Sequence, residues 1–146
     1  MTNDELEALA VRVESLTGPD REVDCLAHFL TDGKWVGRIP TWPPTKISRP
    51  SMERGLTMHI EGDAYFYGDE VPPYTASIDA AMTLVPEGWH CGMGRDGNNH
   101  GPTRSWAWVR YPVSAPCNWK ETGTVWAMGQ PALALTAASL RARKTP

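Results

Sequence analysis

Residues 73–89 read PYTASIDAAMTLVPEGW, and how this stretch is parsed decides the class of fold. Thr75 or Ser77 offers a short polar side chain that can accept the free amide protons of a first helical turn. Ile78, Ala81, Met82 and Val85 then recur at spacings of three and four, which places them on one face of a helix. Pro86 and Gly88 stop that helix, and Trp89 opens an extended segment. The run is therefore a packing helix feeding a strand. It contains no paired nucleophile and base, so its regularity belongs to a scaffold rather than to an active site.

Working outward, the same logic organises the rest of the chain. Thr2 or Asn3 can cap a first helix over DELEALAVRVESL, where Leu6, Leu9, Val13 and Leu16 form an apolar stripe. Gly18 and Pro19 end it and open a second helix, DREVDCLAHFL, with Pro19 read as a first-turn residue and Val23, Leu26, Ala27 and Leu30 as its core face. LTMHIEGDAYFYG, residues 56–68, reads as two short strands around a Glu61-Gly62-Asp63 turn. Residues 89–94 and 105–111 read as strands, the latter alternating as SWAWVRY, with a further strand over 123–128. Their tryptophans are expected to help fill the core. QPALALTAASLRAR closes the chain as a helix, with Pro131 in its first turn and Arg141, Arg143 and Lys144 near its negative pole.

The runs PYTASIDAAMTLVPEGW and QPALALTAASLRAR, in that order, together with TGPDREVD at residues 17–24, resemble a family of small proteins encoded by phages and prophages of proteobacteria with a phage ABA sandwich domain. The insert at 34–55 and the loop after Gly94 depart from that pattern. The resemblance implies an α+β fold in which an antiparallel sheet of about four to five strands carries helices on both faces, an α/β/α sandwich. It also implies a phage origin. It assigns no catalytic residues.

The chain of 146 residues is long enough for one domain, 1–146, with its own hydrophobic core. Its 41% hydrophobic and 21% charged content is that of a globular protein, and no apolar run approaches the roughly 20 residues that cross a bilayer. The first residues carry acids where a secretory signal carries bases, so the expected location is the host cytosol. Cys25, Cys91 and Cys117 are odd in number and widely spaced, as reduced thiols are. The net charge of −3 is segregated: residues 1–33 hold 8 acids and 2 bases, 34–55 hold 5 bases and 1 acid, 56–94 hold 6 acids and no base, and 95–146 hold 7 bases and 2 acids. Such blocks can build one positive surface on an acidic protein.

Chemistry-bearing residues are sparse. Cys25 and His28 lie three apart on a helix, but a structural zinc site needs two tight ligand pairs. His90 and Cys91 are adjacent and point to opposite faces of a strand. The loop GMGRDGNNHG, residues 92–101, holds Arg95 and His100 but lacks a phosphate-loop arrangement and reads as a flexible hairpin loop. No metal and no cofactor are expected, nor a catalytic group.

The sharpest functional signal is compositional: seven tryptophans in 146 residues. KWVGRIPTWPPTKISRPSMERG, residues 34–55, carries four prolines that deny it a long helix or central strand, leaving an extended loop or edge strand. It sets Trp35 and Trp42 beside Arg38, Lys46, Arg49 and Arg54, with Lys34 at its start. Stiffened indoles beside guanidinium groups suit interface hot spots, and they also stack bases and pair phosphates. The reading is a non-enzymatic phage accessory protein that binds a host protein or protein complex and inhibits it by occupancy, as anti-defence and anti-CRISPR proteins do. The alternative is a small-ligand binder that sequesters an anionic nucleotide, with nucleic acid as a further partner class.

Overall fold

A computed structural model describes residues 3–32, 46–51, 55–60, 64–67, 71–96, 104–114, 118–121 and 123–144. Four helices, α1 (Asn3–Glu14), α2 (Arg21–Asp32), α3 (Ile78–Met82) and α4 (Pro131–Ala142), accompany strands β1 (Lys46–Ser51), β2 (Gly55–Ile60), β3 (Ala64–Tyr67), β4 (His90–Arg95), β5 (Arg104–Ser114), β6 (Asn118–Glu121) and β7 (Val125–Met128). The expected α+β class with antiparallel pairing holds. Where the sequence leads to a single sheet, the strands form two: β1-β2-β3, and a second built on β5.

In the second sheet β4 pairs along residues 105–110 of β5, while β6 and β7 pair successive parts of β5. The registers place β6 and β7 end to end along one edge, so this sheet is three strands wide. Gly123, with φ 77°, turns the chain between them, a conformation that costs glycine nothing. In the first sheet the hairpin foreseen around 61–63 forms β2 and β3, and β1 lies at the edge with its register shifted between Ser48 and Ser51. An edge is where a strand holding Pro50 belongs, because proline has no amide proton for a ladder.

α4 is the hub. Residues 131–140 and Ala142 are all buried, so this helix is buried on every side rather than striped. It packs against β4, β5 and β7 on one side and against α1 and α3 on the other. Small side chains make that possible: Ala107, Ala127 and the alanines of α4 itself are all below 10% exposed, which lets backbone layers approach closely. Burying Leu133, Leu135 and Leu140 contributes about 1.5–3 kcal/mol each. α1 buries Leu6, Leu9, Ala10 and Val13, matching the stripe read from its sequence. Among the described residues no helix is long and apolar enough to cross a membrane.

Three local expectations are corrected. α2 begins at Arg21 rather than at Pro19, because the Asp20 carboxylate accepts the amide protons of Glu22 (2.9 Å) and Val23 (3.2 Å) and so caps it. α3 is only five residues long, and Ile78 and Met82 are each 43% exposed. The inward positions are Ala81 and Leu84, since the chain leaves the helix at Thr83 and the stripe rotates with it. Ser77, not Thr75, is the cap, accepting from the Ala80 amide. Finally, Trp106, Trp108 and Trp126 are not core residues: Ala107, Val109, Val125 and Ala127 face α4, and these three indoles on alternate positions face away, whereas Trp89 packs against the core.

Candidate binding face

Strand alternation sets Arg104, Trp106, Trp108 and Arg110 of β5 on the side of the sheet opposite α4. The register puts Trp106 beside Gly94 of β4 and Trp126 of β7, and Trp108 beside Gly92. Trp126 is 45% exposed; Trp106 and Trp108 are half-buried.

The two glycines explain how the rings lie. A β-carbon on Gly92 would stand 2.5 Å from both Cε2 and Cζ2 of Trp108 and 2.8 Å from its Nε1. One on Gly94 would stand 2.8, 2.7 and 3.0 Å from Cε2, Cζ2 and Nε1 of Trp106. Near-equal distances to three neighbouring ring atoms mean that each indole is laid face-on across the bare backbone of β4. Any side chain at either position would lift the ring, so here glycine serves close approach rather than turning. Gly92, Met93 and Gly94 lie within β4, as the strand read over residues 89–94 expects, so the loop read over 92–101 begins only after Arg95.

Cations complete the face. The Arg104 guanidinium lies 5.0 Å from the Trp126 ring centroid, and that of Arg110 lies 4.0 Å from Trp108. Cation–π contacts of this kind are worth about 0.5–1 kcal/mol at exposed sites. Arg104 also reaches Asp96 at 3.5 Å, and Glu121 stands opposite Arg110 in the β5–β6 register. The outcome is an aromatic floor with guanidinium groups stacked over two of its three rings, able to stack planar groups and to pair anions.

The other candidate chemistry resolves into architecture. Asp24 is fully buried and accepts the Thr75 amide (2.7 Å) and Arg21 Nη1 (2.8 Å). Arg21 Nη2 donates to the Val71 carbonyl, and the Thr75 hydroxyl oxygen accepts the Asp20 amide at 2.9 Å. Burial pushes the Asp24 pKa above the ordinary aspartate value, against the hydrogen bonds from Thr75 and Arg21. These contacts tie α2 to the segment before α3. His28 Nδ1 lies 2.7 Å from the Tyr74 hydroxyl, whose carbonyl accepts from Thr136 of α4.

Cys25 is buried, which pushes its thiol up to about 11, and burial also raises that of Cys91, whose Sγ lies 3.3 Å from Met82 Sδ. Neither is an activated thiolate. Among the described residues no three His, Cys, Asp or Glu side chains gather where they could hold a metal ion. Arg95 donates to Gln130 Oε1 at 2.6 Å.

Of the residues singled out from sequence, Trp35, Arg38, Trp42 and Arg54 lie outside the described residues, as does His100. Lys46 opens β1 opposite His59, and Arg49 falls in the stretch where that register shifts. The face formed by Trp106, Trp108 and Trp126 was missed. Its signal is present in the sequence as Trp-x-Trp-x-Arg in one strand and Gly-x-Gly in its neighbour, large rings paired with bare backbone. No family model, curated protein or solved structure matches this chain.

Proposed function

We propose that this protein is a non-enzymatic binding protein whose working surface is the tryptophan–arginine face of the β4–β5–β7 sheet. One observation carries the reading: Trp106 and Trp108 held flat on glycines, with arginines over the Trp108 and Trp126 rings, on the side of a sheet turned away from the helical core. Core tryptophans bury their rings, whereas a face that keeps Trp126 45% exposed retains apolar area that a partner can cover. Tryptophan and arginine are the residues on which interface energy concentrates. Rings already fixed on a strand lose little side-chain entropy on binding.

The resemblance to small phage-encoded proteins extends the proposal to a host macromolecule as partner, inhibited by occupancy, with antiviral defence machinery as the target class and the host cytosol as the place. The arm at 34–55 is a second contact segment in this reading. A second helical layer over the tryptophan face is not required, and the face must stay accessible to act.

The test is capture from host lysate by the tagged full chain and by its Trp126→Ala variant. Because Trp126 is exposed, the variant should melt within a few degrees of the parent while losing partner capture. Equal capture by both proteins contradicts the reading.

A further inference from the structure

Resting on that reading, we infer that the occupant of the tryptophan–arginine face is an unstacked single strand of nucleic acid. Trp106 presents its outer π-face, because its inner face lies against Gly94, and Trp108, seated on Gly92, carries the planar Arg110 guanidinium over its ring as a second flat surface. A face fixed parallel to the sheet accepts a planar group laid upon it, which every nucleobase supplies regardless of sequence.

Spacing then separates single strand from duplex. Gly92 and Gly94 are two residues apart on one strand, so the two platforms sit about 6.6 Å apart. Bases in a stacked helix rise by about 3.4 Å. Neighbouring bases can occupy neighbouring platforms only when pulled apart to about twice that distance, as a splayed single strand allows and a duplex does not. Recognition of unpaired bases on a sheet by strand aromatics uses this same geometry.

Charge complementarity selects a polyanion over a neutral partner. Arg104 and Arg110 lie over the rings of Trp126 and Trp108, 5.0 and 4.0 Å from their centroids, while 8 of the 17 acids lie within residues 1–33, in the helical part of the fold. Asp96 sets a carboxylate 3.5 Å from Arg104, and the β5–β6 register puts the backbone of Glu121 opposite Arg110. A guanidinium stacked on an indole can swing to a phosphate, or stay and extend the platform, since bases also stack on guanidinium planes. An acidic peptide satisfies the charge and leaves the π-faces bare.

The experiment is fluorescence anisotropy of the full chain with labelled oligothymidylate and oligouridylate of twelve nucleotides, a duplex of equal length, and polyglutamate as a polyanion without bases. Single strands should bind and quench tryptophan emission, the duplex should bind at least about tenfold more weakly, and polyglutamate should not compete. Two phosphate contacts give a slope of about −1.4 in log affinity against log salt. Trp126→Ala should weaken binding about tenfold or more, Trp126→Phe should retain most of it, and Arg104→Gln should flatten the salt slope by about 0.7. Comparison of the thymidylate and uridylate arms separates DNA from RNA as the source.

The inference is overturned if polyglutamate competes as well as oligonucleotide, if duplex binds equally, or if no single strand binds below millimolar concentration. Lysate capture that depends on Trp126 but survives nuclease treatment overturns the nucleic-acid assignment and leaves the binding face standing. Trp126→Ala indistinguishable from the parent in both assays removes both.

Discussion

The indole of Trp108 lies across the backbone of Gly92 so closely that a methyl group there would stand 2.5 Å from two of its ring carbons. Strand β4 is thus shaped by what rests on it, and the exchange of a side chain for a flat ring is the feature from which the functional reading grows.

Gly92→Ala and Gly94→Ala should each displace one indole. Overpacking costs typically run to about 1–3 kcal/mol, and because these rings are half-exposed and can tilt outward the lower end is expected. Urea titration should show the modest loss, and a red shift in tryptophan emission should show the ring leaving its seat. Unchanged emission in both variants would contradict the face-on packing.

Leu135→Asp should abolish folding, since Leu135 is fully buried in a helix buried on all sides, and an isolated charge there has no partner. Ile78→Asp should leave a cooperative melt, because Ile78 is 43% exposed. Circular dichroism melts of the two variants check both halves. A stripe count alone ranks these residues equally; burial separates them.

Glu7 links α1 to α4, accepting Arg141 Nε and Nη2 at 3.0 and 2.8 Å and Lys144 at 2.8 Å, while Arg141 also donates to Glu14. The hydrogen bonds from Arg141 and Lys144 hold its pKa down to about 2, from 4.5. A depressed carboxyl pKa contributes stability that is present above the unfolded value and lost as pH falls through the folded one. The stability gap between the parent and Glu7→Gln should therefore be constant above about pH 5 and close between about pH 4.5 and 2. Glu7 is 38% exposed, so solvent screening keeps that gap to about 1 kcal/mol or less.

Asp24 should behave in the opposite sense. Its raised pKa means that the folded state holds the proton more tightly than the unfolded one. Its contribution is then fullest below the unfolded pKa and declines as pH rises through the folded value. Relative to Asp24→Asn, the parent should gain stability on acidification, measured as paired urea midpoints from pH 7 to 4. Asp24→Ala removes the acceptor of the buried Thr75 amide and should cost about 1–3 kcal/mol at any pH.

Much of the scaffold was legible because periodicity reports burial. The stripe of α1, the proline-led start of α4, the β2–β3 hairpin and strands over 90–94 and 105–111 all follow from spacing and breaker residues. What was not legible is which side of SWAWVRY faces inward. Alternation fixes two faces but not their assignment, and hydrophobicity alone favours tryptophan in the core. The deciding fact is tertiary: α4 packs on β5 and β7 over the small buried side chains Ser105, Ala107, Val109, Val125 and Ala127. α3 was misjudged for a related reason, since five helical residues do not sustain a stripe of four.

Oxidative footprinting of the protein, free and in complex with partner captured from lysate, asks whether the partner sits on the tryptophan face. Mass spectrometry of the labelled peptides should find Trp126 reactive in the free chain and protected in the complex, with Arg104→Glu abolishing the protection. Equal labelling of Trp126 in both states, with protection confined to peptides from residues 34–55, would place the binding surface on the arm and contradict the assignment of the sheet face.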